Sequence, residues 1–141
     1  MRVVAGTARG RRLAAPRDDA VRPTGDRVRE AVFNALHSQG AVVDAAVLDL
    51  FAGTGALGIE ALSRGAAHAT FVECSRAHAA LVEDNLATCG FTDRADVVVA
   101  DAERWLSANP GRWDLALLDP PAGTVVMLLS PEPGDPGSSR P

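Results

Sequence analysis

Three glycines in one short stretch carry the strongest chemical signal in this chain. Gly53, Gly55 and Gly58 form the pattern G-x-G-x-x-G, the glycine loop (53–58), between an apolar run and a helix-like run. Glycines allow a tight turn and a close approach of backbone to ligand, and a helix start presents free N–H groups. Glu73 follows Gly53 by 20 residues (73 − 53), the spacing at which a carboxylate can accept two ribose hydroxyls. The pattern predicts a nucleotide-type cofactor; the alternative is a turn needed only for close packing of helix on sheet.

A carboxylate before the loop narrows the choice of cofactor. Asp49 lies at the end of the apolar run, four residues before Gly53. It would repel a pyrophosphate, whereas S-adenosylmethionine carries an ammonium and a sulfonium and no phosphate. We therefore expect S-adenosylmethionine, held by the loop that includes Thr54, rather than a nicotinamide or flavin dinucleotide. Asp101 ends a later apolar run, where it can accept a hydrogen bond from adenine and would serve equally well as a helix N-cap.

A second cluster of hydrogen-bond acceptors follows the last strand-like run, which ends at Leu118. The next three residues are Asp119, Pro120 and Pro121. Ligands of open α/β sheets bind outside the carboxyl ends of the strands, so Asp119 is expected to face the same crevice as the glycine loop. Because proline has no N–H donor, the Asp119 carboxylate and the Pro120 carbonyl remain to hold an aromatic amine and to stabilise positive charge on its nitrogen. The alternative is an ordinary pair of prolines at a strand end.

These motifs, together with the amino-terminal residues, resemble the bacterial 16S rRNA guanine-N2 methyltransferases, which are class I enzymes dependent on S-adenosylmethionine. The similarity runs from Arg2 to Pro121 and is carried by the segments 2–13, 22–34, 49–58, 71–73 and 119–121. It implies methylation of the exocyclic N2 amine of a guanine in small-subunit rRNA, either free or in the assembled small-subunit particle. The resemblance implies that Asp119, Pro120 and Pro121 are the catalytic residues.

The basic residues are concentrated at the amino terminus. Residues 1–30 carry eight arginines and four acids, a charge of +4, and the rest of the chain carries six arginines and fourteen acids, a charge of −8. A basic arm on an acidic body suits contact with a polyanion. The resemblance implies that the amino-terminal hairpin contacts RNA, with candidate phosphate ligands at Arg9, Arg11, Arg22 and Arg27. The alternative is that these arginines are simply solvated on a mobile arm.

The chain departs from the family pattern after Pro121. The family motif continues with Tyr or Phe where this chain has Ala122, so an aromatic contact worth about 1–3 kcal/mol per stacked base is missing. Residues 123–141 do not resemble the family, and we expect a truncation or a change of reading frame after Pro121. One alternative function is therefore a non-catalytic remnant that binds the cofactor or RNA weakly. Another is a related Asp-Pro-Pro methyltransferase acting on an amino group of a different nucleic acid.

Short apolar strands alternate with helices along the chain, the pattern of a parallel sheet covered on both faces. We predict an α/β fold, a class I methyltransferase Rossmann-like open sheet preceded by a basic β-hairpin and a helix. The predicted strands are 47–50, 70–72, 97–100 and 115–118, and the predicted helices are 24–37, 57–64, 76–89 and 103–108. The sheet would be incomplete at its C-terminal strands, leaving 115–118 as an open apolar edge. The organisation is then an arm and connector at 1–23, a methyltransferase domain at 24–121 and a disordered or non-family tail at 122–141.

Composition indicates an ordinary soluble domain, with 47% hydrophobic and 23% charged residues. Cys74 and Cys89 do not form a C-x-x-C pair, so no metal site is expected. The segment Met1–Arg12 lacks the apolar centre of a signal peptide, and no apolar run approaches the roughly 18 residues of a membrane span. We expect a cytoplasmic monomer that has no membrane partner.

Overall fold

A five-stranded sheet with helices on both faces organises the chain. The computed structural model describes residues 1–16 and 25–119, and for residues 125–128 the backbone alone. The strands are β1 Ala46–Leu50, β2 His68–Glu73, β3 Ala95–Val99, β4 Leu115–Leu118 and β5 Val125–Leu128. The helices are α1 Asp26–Ser38, α2 Ala56–Ser63, α3 Arg76–Cys89 and α4 Ala102–Ala108, with a 3-10 turn at Thr92–Arg94. The predicted α/β class is confirmed, and the bounds of the eight predicted strands and helices lie within two residues of those observed.

The strand order brings the predicted site residues to one edge of the sheet. The order is β3-β2-β1-β4-β5, and β1 to β4 are mutually parallel. Leu50 at the end of β1 pairs with Val72 of β2 on one side and with Leu118 of β4 on the other. The chain order reverses between β1 and β4, which is the position where open α/β sheets bind their ligands. The glycine loop therefore emerges between the ends of β2 and β4.

β5 covers the side of β4 that the sequence predicts to be open. It runs antiparallel to β4, with Leu118 opposite Val125 and Leu115 opposite Leu128. The expectation of an open apolar edge at 115–118 is therefore wrong. An antiparallel return needs only a short connection and no crossover helix, so the strand–helix alternation of the sequence does not signal it. The rest of the expected tail, residues 122–124 and 129–141, lies outside the described residues.

Both faces of the sheet are buried. On one face Val47 and Phe71 pack in the cluster that also contains Leu62 of α2 and Leu86 of α3. On the other face Leu48, Leu50 and Val72 pack with Ala102 of α4. Each fully buried apolar side chain of this size contributes about 1.5–3 kcal/mol, so the glycine loop is held by rigid elements on both sides.

The amino-terminal hairpin is docked on α2. Its two sides meet at a single antiparallel bridge between Arg2 and Arg12, fewer paired residues than the two short strands that the sequence predicts. The backbone N–H of Ala8 donates to Ser63 Oγ at 2.9 Å. Gly6 lies so close to α2 that a Cβ there would be 1.9 Å from the carbonyl oxygen of Ser63. The hairpin is thus an integral part of the fold rather than a free arm.

α1 buries a different face from the one that the apolar spacing predicts. The predicted stripe is Val28, Ala31, Val32, Ala35 and Leu36. The buried residues are instead Arg29, Phe33 and Leu36, while Val28 is 52% exposed. Arg29 turns this face inward because it pairs with the buried carboxylate of Glu60 in α2. The helix starts at Asp26, after Gly25, and residue 24, where the predicted helix begins, lies outside the described residues.

Three further observations concern the helices, the potential metal ligands and the cysteines of the described part of the chain. None of its helices combines the length and the apolar character needed to cross a bilayer. Its His, Cys, Asp and Glu side chains form no group of three or more placed to hold a metal ion. Its two cysteines, Cys74 and Cys89, are free thiols.

Candidate functional site

The carboxylate of Glu73 is oriented toward the glycine loop. Glu73 is the last residue of β2 and is 7% exposed. Its Oε1 accepts the backbone N–H of Gly53 at 3.0 Å, and its Oε2 accepts the backbone N–H of Ser75 at 2.7 Å. Each carboxylate oxygen has a second lone pair, so both remain able to accept a hydroxyl of a ligand. The 20-residue spacing in the sequence therefore corresponds to a direct contact between this glutamate and the loop.

The three glycines of the motif have two different roles. Gly53 and Gly55 have left-handed φ values of +59° and +80°, which glycine adopts without strain. A Cβ on Gly53 would have no heavy atom closer than 4.0 Å, so its backbone borders open space. A Cβ on Gly58 would lie 2.4 Å from Cε2 of Phe71, so this glycine is required for helix–sheet packing. Cofactor contact remains the prediction for Gly53 and Gly55, and close packing explains Gly58.

Asp49 is a buried carboxylate with incomplete hydrogen bonding. It is 1% exposed, and its Oδ2 accepts the backbone N–H of Gly58 at 3.0 Å. Its Oδ1 is also buried and has no hydrogen-bond partner among the described residues. Burial raises the pKa of Asp49 well above its usual range, the negative charges of Asp119 and Glu73 raise it further, and the Gly58 N–H opposes the shift. In the free protein these surroundings favour the neutral form of Asp49, and a cationic ligand would favour its ionised form.

Two other predicted cofactor residues have structural partners in the protein. Thr54 is 4% exposed, and its Oγ1 accepts the backbone N–H of Ala56 at 3.3 Å. Asp101 is exposed and caps α4 by accepting the backbone N–H of Arg104 at 3.0 Å. The N-cap interpretation of Asp101 is confirmed, and its contact with adenine stays a prediction because the second carboxylate oxygen can still accept.

The predicted catalytic segment begins at the correct edge of the sheet. Asp119 directly follows β4, is partly buried, and is close enough to Asp49 to raise the pKa of that carboxyl. Pro120 and Pro121 lie outside the described residues. The structure thus brings the carboxylates of Asp49, Glu73 and Asp119 to the same end of three adjacent strands.

The predicted RNA ligands differ in their surroundings. Arg9 is exposed at the hairpin turn, and Arg27 is exposed in the first turn of α1. Arg11 is also exposed and donates from Nη1 to the carbonyl of Thr88 in α3 at 3.3 Å. Arg22 lies outside the described residues. These positions leave the charges of Arg9, Arg11 and Arg27 accessible to a polyanion.

Comparison with known proteins assigns the chain to a family. Residues 1–129 match the family described as conserved hypothetical protein 95. The chain belongs to this family. Over 121 residues it is 45% identical to ribosomal RNA small subunit methyltransferase D of Escherichia coli K12, an alignment that covers 86% of this chain and 60% of the relative. The predicted resemblance to small-subunit rRNA methyltransferases is confirmed, and the chain spans about three-fifths of the length of this curated relative.

Solved structures confirm the fold of this family member. A hypothetical protein from Thermus thermophilus has a TM-score of 0.74 at 33% identity, covering 84% of this chain and 67% of that chain. The SAM dependent methyltransferase from Agrobacterium tumefaciens has a TM-score of 0.59 at 25% identity, covering 78% of this chain and 36% of that chain. The predicted class I methyltransferase architecture is therefore correct.

Two residues of this family member near the site were missed by sequence reasoning. Phe51, at the start of the loop, has a left-handed φ of +58° and is 37% exposed, and a strained non-glycine residue of this kind is typical of functional sites. Asn85 is buried in α3 and contacts the loop; its polar side chain beside the apolar positions Val82 and Leu86 was the available signal.

Proposed function

We propose that this chain binds S-adenosylmethionine and methylates the N2 amine of a guanine in small-subunit rRNA. The observation that carries the proposal is the buried Asp49 carboxylate, whose Oδ1 has no hydrogen-bond partner among the described residues and which lies beneath a loop held by Glu73. A buried carboxylate with an unsatisfied oxygen is costly, and a cationic ligand offsets that cost. The names of the relatives and the class I fold support the same assignment.

The residues of the glycine loop fit an adenosyl cofactor with a cationic end. Gly53 borders open space, so backbone and ligand can approach closely there. We assign the ribose hydroxyls to the Glu73 carboxylate, the ammonium and sulfonium end to the negative potential around Asp49, and the adenine amino group to Asp101. The carboxylates that surround Asp49 favour a ligand without phosphates, because they would repel a pyrophosphate.

Methyl transfer to an aromatic amine requires the protein to hold the amine and to stabilise positive charge on its nitrogen. S-adenosylmethionine would supply a methyl group on a positively charged sulfur. The guanine N2 nitrogen would form a bond to the methyl carbon as the carbon–sulfur bond breaks, with S-adenosylhomocysteine as the leaving group. Asp119 accepts a hydrogen bond from the amine and stabilises the positive charge that develops on the nitrogen. The carbonyl of Pro120 is the second acceptor that the sequence provides, and Pro121 brings no N–H donor to compete with the amine. The product nitrogen then loses one proton to water, so no strong base is required.

The basic hairpin supplies the RNA-facing surface in this proposal. Arg9, Arg11, Arg22 and Arg27 are the phosphate ligands that the sequence predicts, and the docked hairpin adds Arg2 and Arg12. Two arginines placed directly opposite each other repel, and a phosphate between them removes that repulsion. We propose that the protein acts as a monomer in the cytoplasm, where small-subunit RNA or its assembled particle is present.

A second candidate function follows from Ala122, which stands where the family motif has Tyr or Phe. Without that ring, the extruded base loses a stacking partner worth about 1–3 kcal/mol. Phe51 is a partly exposed aromatic residue that follows β1, as Asp119 follows the neighbouring β4, and it is the candidate to replace the missing ring. If Phe51 does not replace the missing ring, the chain binds the cofactor but turns over poorly.

Calorimetric titration with S-adenosylhomocysteine, the product form of the cofactor, tests the cofactor assignment. We expect wild-type protein to bind, and Glu73→Ala to bind at least about 100-fold more weakly because two hydrogen bonds to a charged group are lost. Glu83→Ala, which changes an exposed glutamate of α3, is the matched control and should bind like the wild type. Absence of binding heat from well-folded wild-type protein would refute the assignment.

Mass spectrometry of methylated nucleosides tests the substrate and separates the candidate functions. Small-subunit RNA and assembled particles are incubated with the protein and labelled cofactor. N2-methylguanine supports the proposal, and methyladenine in DNA or RNA assigns the chain to another Asp-Pro-Pro methyltransferase class. Cofactor binding without any methylated nucleoside supports the non-catalytic candidate.

A further inference from the structure

Asn85 joins the amino-terminal arm to the glycine loop through one buried amide. It lies in α3 and is 2% exposed. Its Oδ1 accepts the backbone N–H of Ala14 at 2.8 Å, and its Nδ2 donates to the carbonyl of Ala14 at 3.0 Å. The same Nδ2 donates to the carbonyl of Thr54 at 2.9 Å. All three bonds therefore end on backbone groups outside the helix that carries Asn85.

The contact with Thr54 fixes one peptide plane of the loop. The Thr54 carbonyl and the Gly55 N–H belong to the same peptide unit. The Gly55 N–H donates to the carbonyl of Ala52 at 2.8 Å, so this unit is held at both ends. Thr54 lies between two left-handed glycines, Gly53 and Gly55, and glycine has more backbone freedom than any other residue. Asn85 thus restricts rotation of the Thr54–Gly55 peptide unit, which the flanking glycines would otherwise permit.

The same Asn85 amide also holds the arm through its hydrogen bonds to Ala14. Asn85 satisfies both backbone groups of Ala14, in the manner of a neighbouring strand. Ala14 follows the basic hairpin in sequence, and Met1 at the start of that hairpin places its sulfur 3.9 Å from Oγ1 of Thr54. The arm and the loop are therefore adjacent at this point and share a single buried side chain.

We propose that Asn85 is a positioning residue that sets the geometry of the glycine loop against the docked arm. This inference rests on the proposed function for its consequence in cofactor binding, but not for its effect on the loop itself. Loss of the amide frees the Thr54–Gly55 peptide, so that the loop samples orientations in which it does not accept the cofactor. The apparent affinity for the cofactor is then multiplied by the fraction of time that the loop remains in the binding orientation, so it decreases.

Ser63 provides a matched control. It is 1% exposed and, like Asn85, makes two side-chain hydrogen bonds to the arm, from the Ala8 N–H and to the Ala5 carbonyl. Both of these bonds end in the arm, and neither reaches the glycine loop. Ser63→Ala therefore weakens arm docking without releasing Thr54.

The experiment compares Asn85→Ala and Asn85→Asp with Ser63→Ala in the full chain. Asn85→Asp keeps the acceptor for the Ala14 N–H and loses the amide donors to Thr54 and Ala14. Because it retains the side-chain volume, it is the second variant if the cavity left by Asn85→Ala prevents folding. Hydrogen exchange of the Gly55 amide in cofactor-free protein is expected to be about tenfold faster in both Asn85 variants and unchanged in Ser63→Ala. Binding of S-adenosylhomocysteine is expected to weaken about three- to tenfold in both Asn85 variants only.

The two readouts separate this inference from the proposed function. If wild-type protein does not bind S-adenosylhomocysteine, the proposed function fails, and the exchange rate of Gly55 still decides the role of Asn85. Equal acceleration of Gly55 exchange in Asn85→Asp and Ser63→Ala would overturn the inference, because arm docking alone would then control the loop. Unchanged Gly55 exchange in both Asn85 variants would overturn it as well.

Discussion

Glu60 and Asp49 are both buried carboxylates, and their surroundings differ in almost every respect. Glu60, in α2 beneath the arm, is 0% exposed and accepts the backbone N–H groups of Val4 and Ala5 at 2.9 and 3.1 Å. It also pairs with Arg29 at 3.4 Å and Arg64 at 2.8 Å. Asp49, under the glycine loop, accepts one backbone N–H, and its Oδ1 meets no donor among the described residues.

We interpret Glu60 as a charge that stabilises the fold and Asp49 as a charge that serves ligand binding in the proposed function. The four donors around Glu60 compensate for its removal from water, so this carboxylate links the arm, α1 and α2 into one unit. Asp49 has one oxygen without a partner among the described residues and two further carboxylates nearby, so the fold is less stable with this group ionised. Glu60 has its hydrogen-bond partners without a ligand, whereas the ionised form of Asp49 would be stabilised by a cationic ligand. Arg64 also has a buried nitrogen, Nη2, without a partner in the described part of the chain, but its charge is compensated by Glu60.

Removing Glu60 is expected to have the largest effect on stability. Glu60→Ala leaves the buried Arg29 without this carboxylate and breaks two backbone contacts of the arm, at a cost of about 3–5 kcal/mol. Domains of this size have only about 5–15 kcal/mol of stability, so the variant is expected to lose a large fraction of it. Urea denaturation followed by circular dichroism measures the loss, with Glu83→Ala as the exposed control. A cost below about 1 kcal/mol would contradict the structural role of this charge.

The second prediction concerns Gly58, which lies in the motif but serves packing. Gly58→Ala places a methyl group within 2.4 Å of the Phe71 ring and is expected to cost about 1–3 kcal/mol. Phe71→Leu in the same chain removes part of that ring, so the double variant should lose less stability than the sum of the two single variants. Additive losses in urea denaturation would show that the close contact with Phe71 does not explain this glycine.

The third prediction is that Asp49→Asn stabilises the cofactor-free protein. Because the pKa of Asp49 is raised in the fold, the native state binds more protons than the unfolded state between the ordinary and the raised pKa. Its contribution to stability therefore falls as pH rises through that window, and the neutral amide removes this dependence. We expect a gain of about 1 kcal/mol at neutral pH and little gain at about pH 4.

Urea denaturation of wild type and Asp49→Asn across this pH range tests whether the stability gain of the variant grows as pH rises. Cofactor binding by both proteins tests whether that gain is accompanied by a loss of affinity. Asp49→Asn is expected to weaken binding of S-adenosylmethionine at least about tenfold while it stabilises the free protein. A variant that is less stable than wild type at neutral pH, with unchanged binding, would remove the distinction between Asp49 and Glu60.

Local signals account for the elements that the sequence predicts well. α3 has the same bounds as predicted, because Ser75 caps it by accepting the backbone N–H of His78 and Gly90 ends it with a left-handed φ of +75°. The spacing of Glu73 from Gly53 likewise indicates that Glu73 ends the neighbouring strand, where the structure places it in contact with the Gly53 N–H. Its contact with ribose stays a prediction. The bounds of α3 depend on a few neighbouring residues, and the position of Glu73 depends on the regular geometry of adjacent parallel strands.

The features that the sequence does not predict depend on distant partners. Arg29 is buried with partners that include Glu60 of α2 and the Arg2 carbonyl of the arm, and nothing in the spacing of α1 indicates those pairings. β5 depends on a chain reversal after β4, and Asn85 on the simultaneous approach of the arm and the glycine loop. Long-range hydrogen bonds of this kind are set by the assembled fold rather than by local pattern.

The smallest effect on stability is expected at the hairpin surface. Arg12→Gln removes the repulsion between Arg12 and Arg2 and should raise the free energy of unfolding by about 0.2–0.5 kcal/mol. The same change should weaken binding to small-subunit RNA and lower the slope of log K against log salt by about 0.7–0.9, the value for one lost phosphate contact. Arg112→Gln, an exposed arginine before β4, is the control and should change neither quantity. Equal salt slopes for Arg12→Gln and wild type would mean that the RNA surface does not include this side of the hairpin.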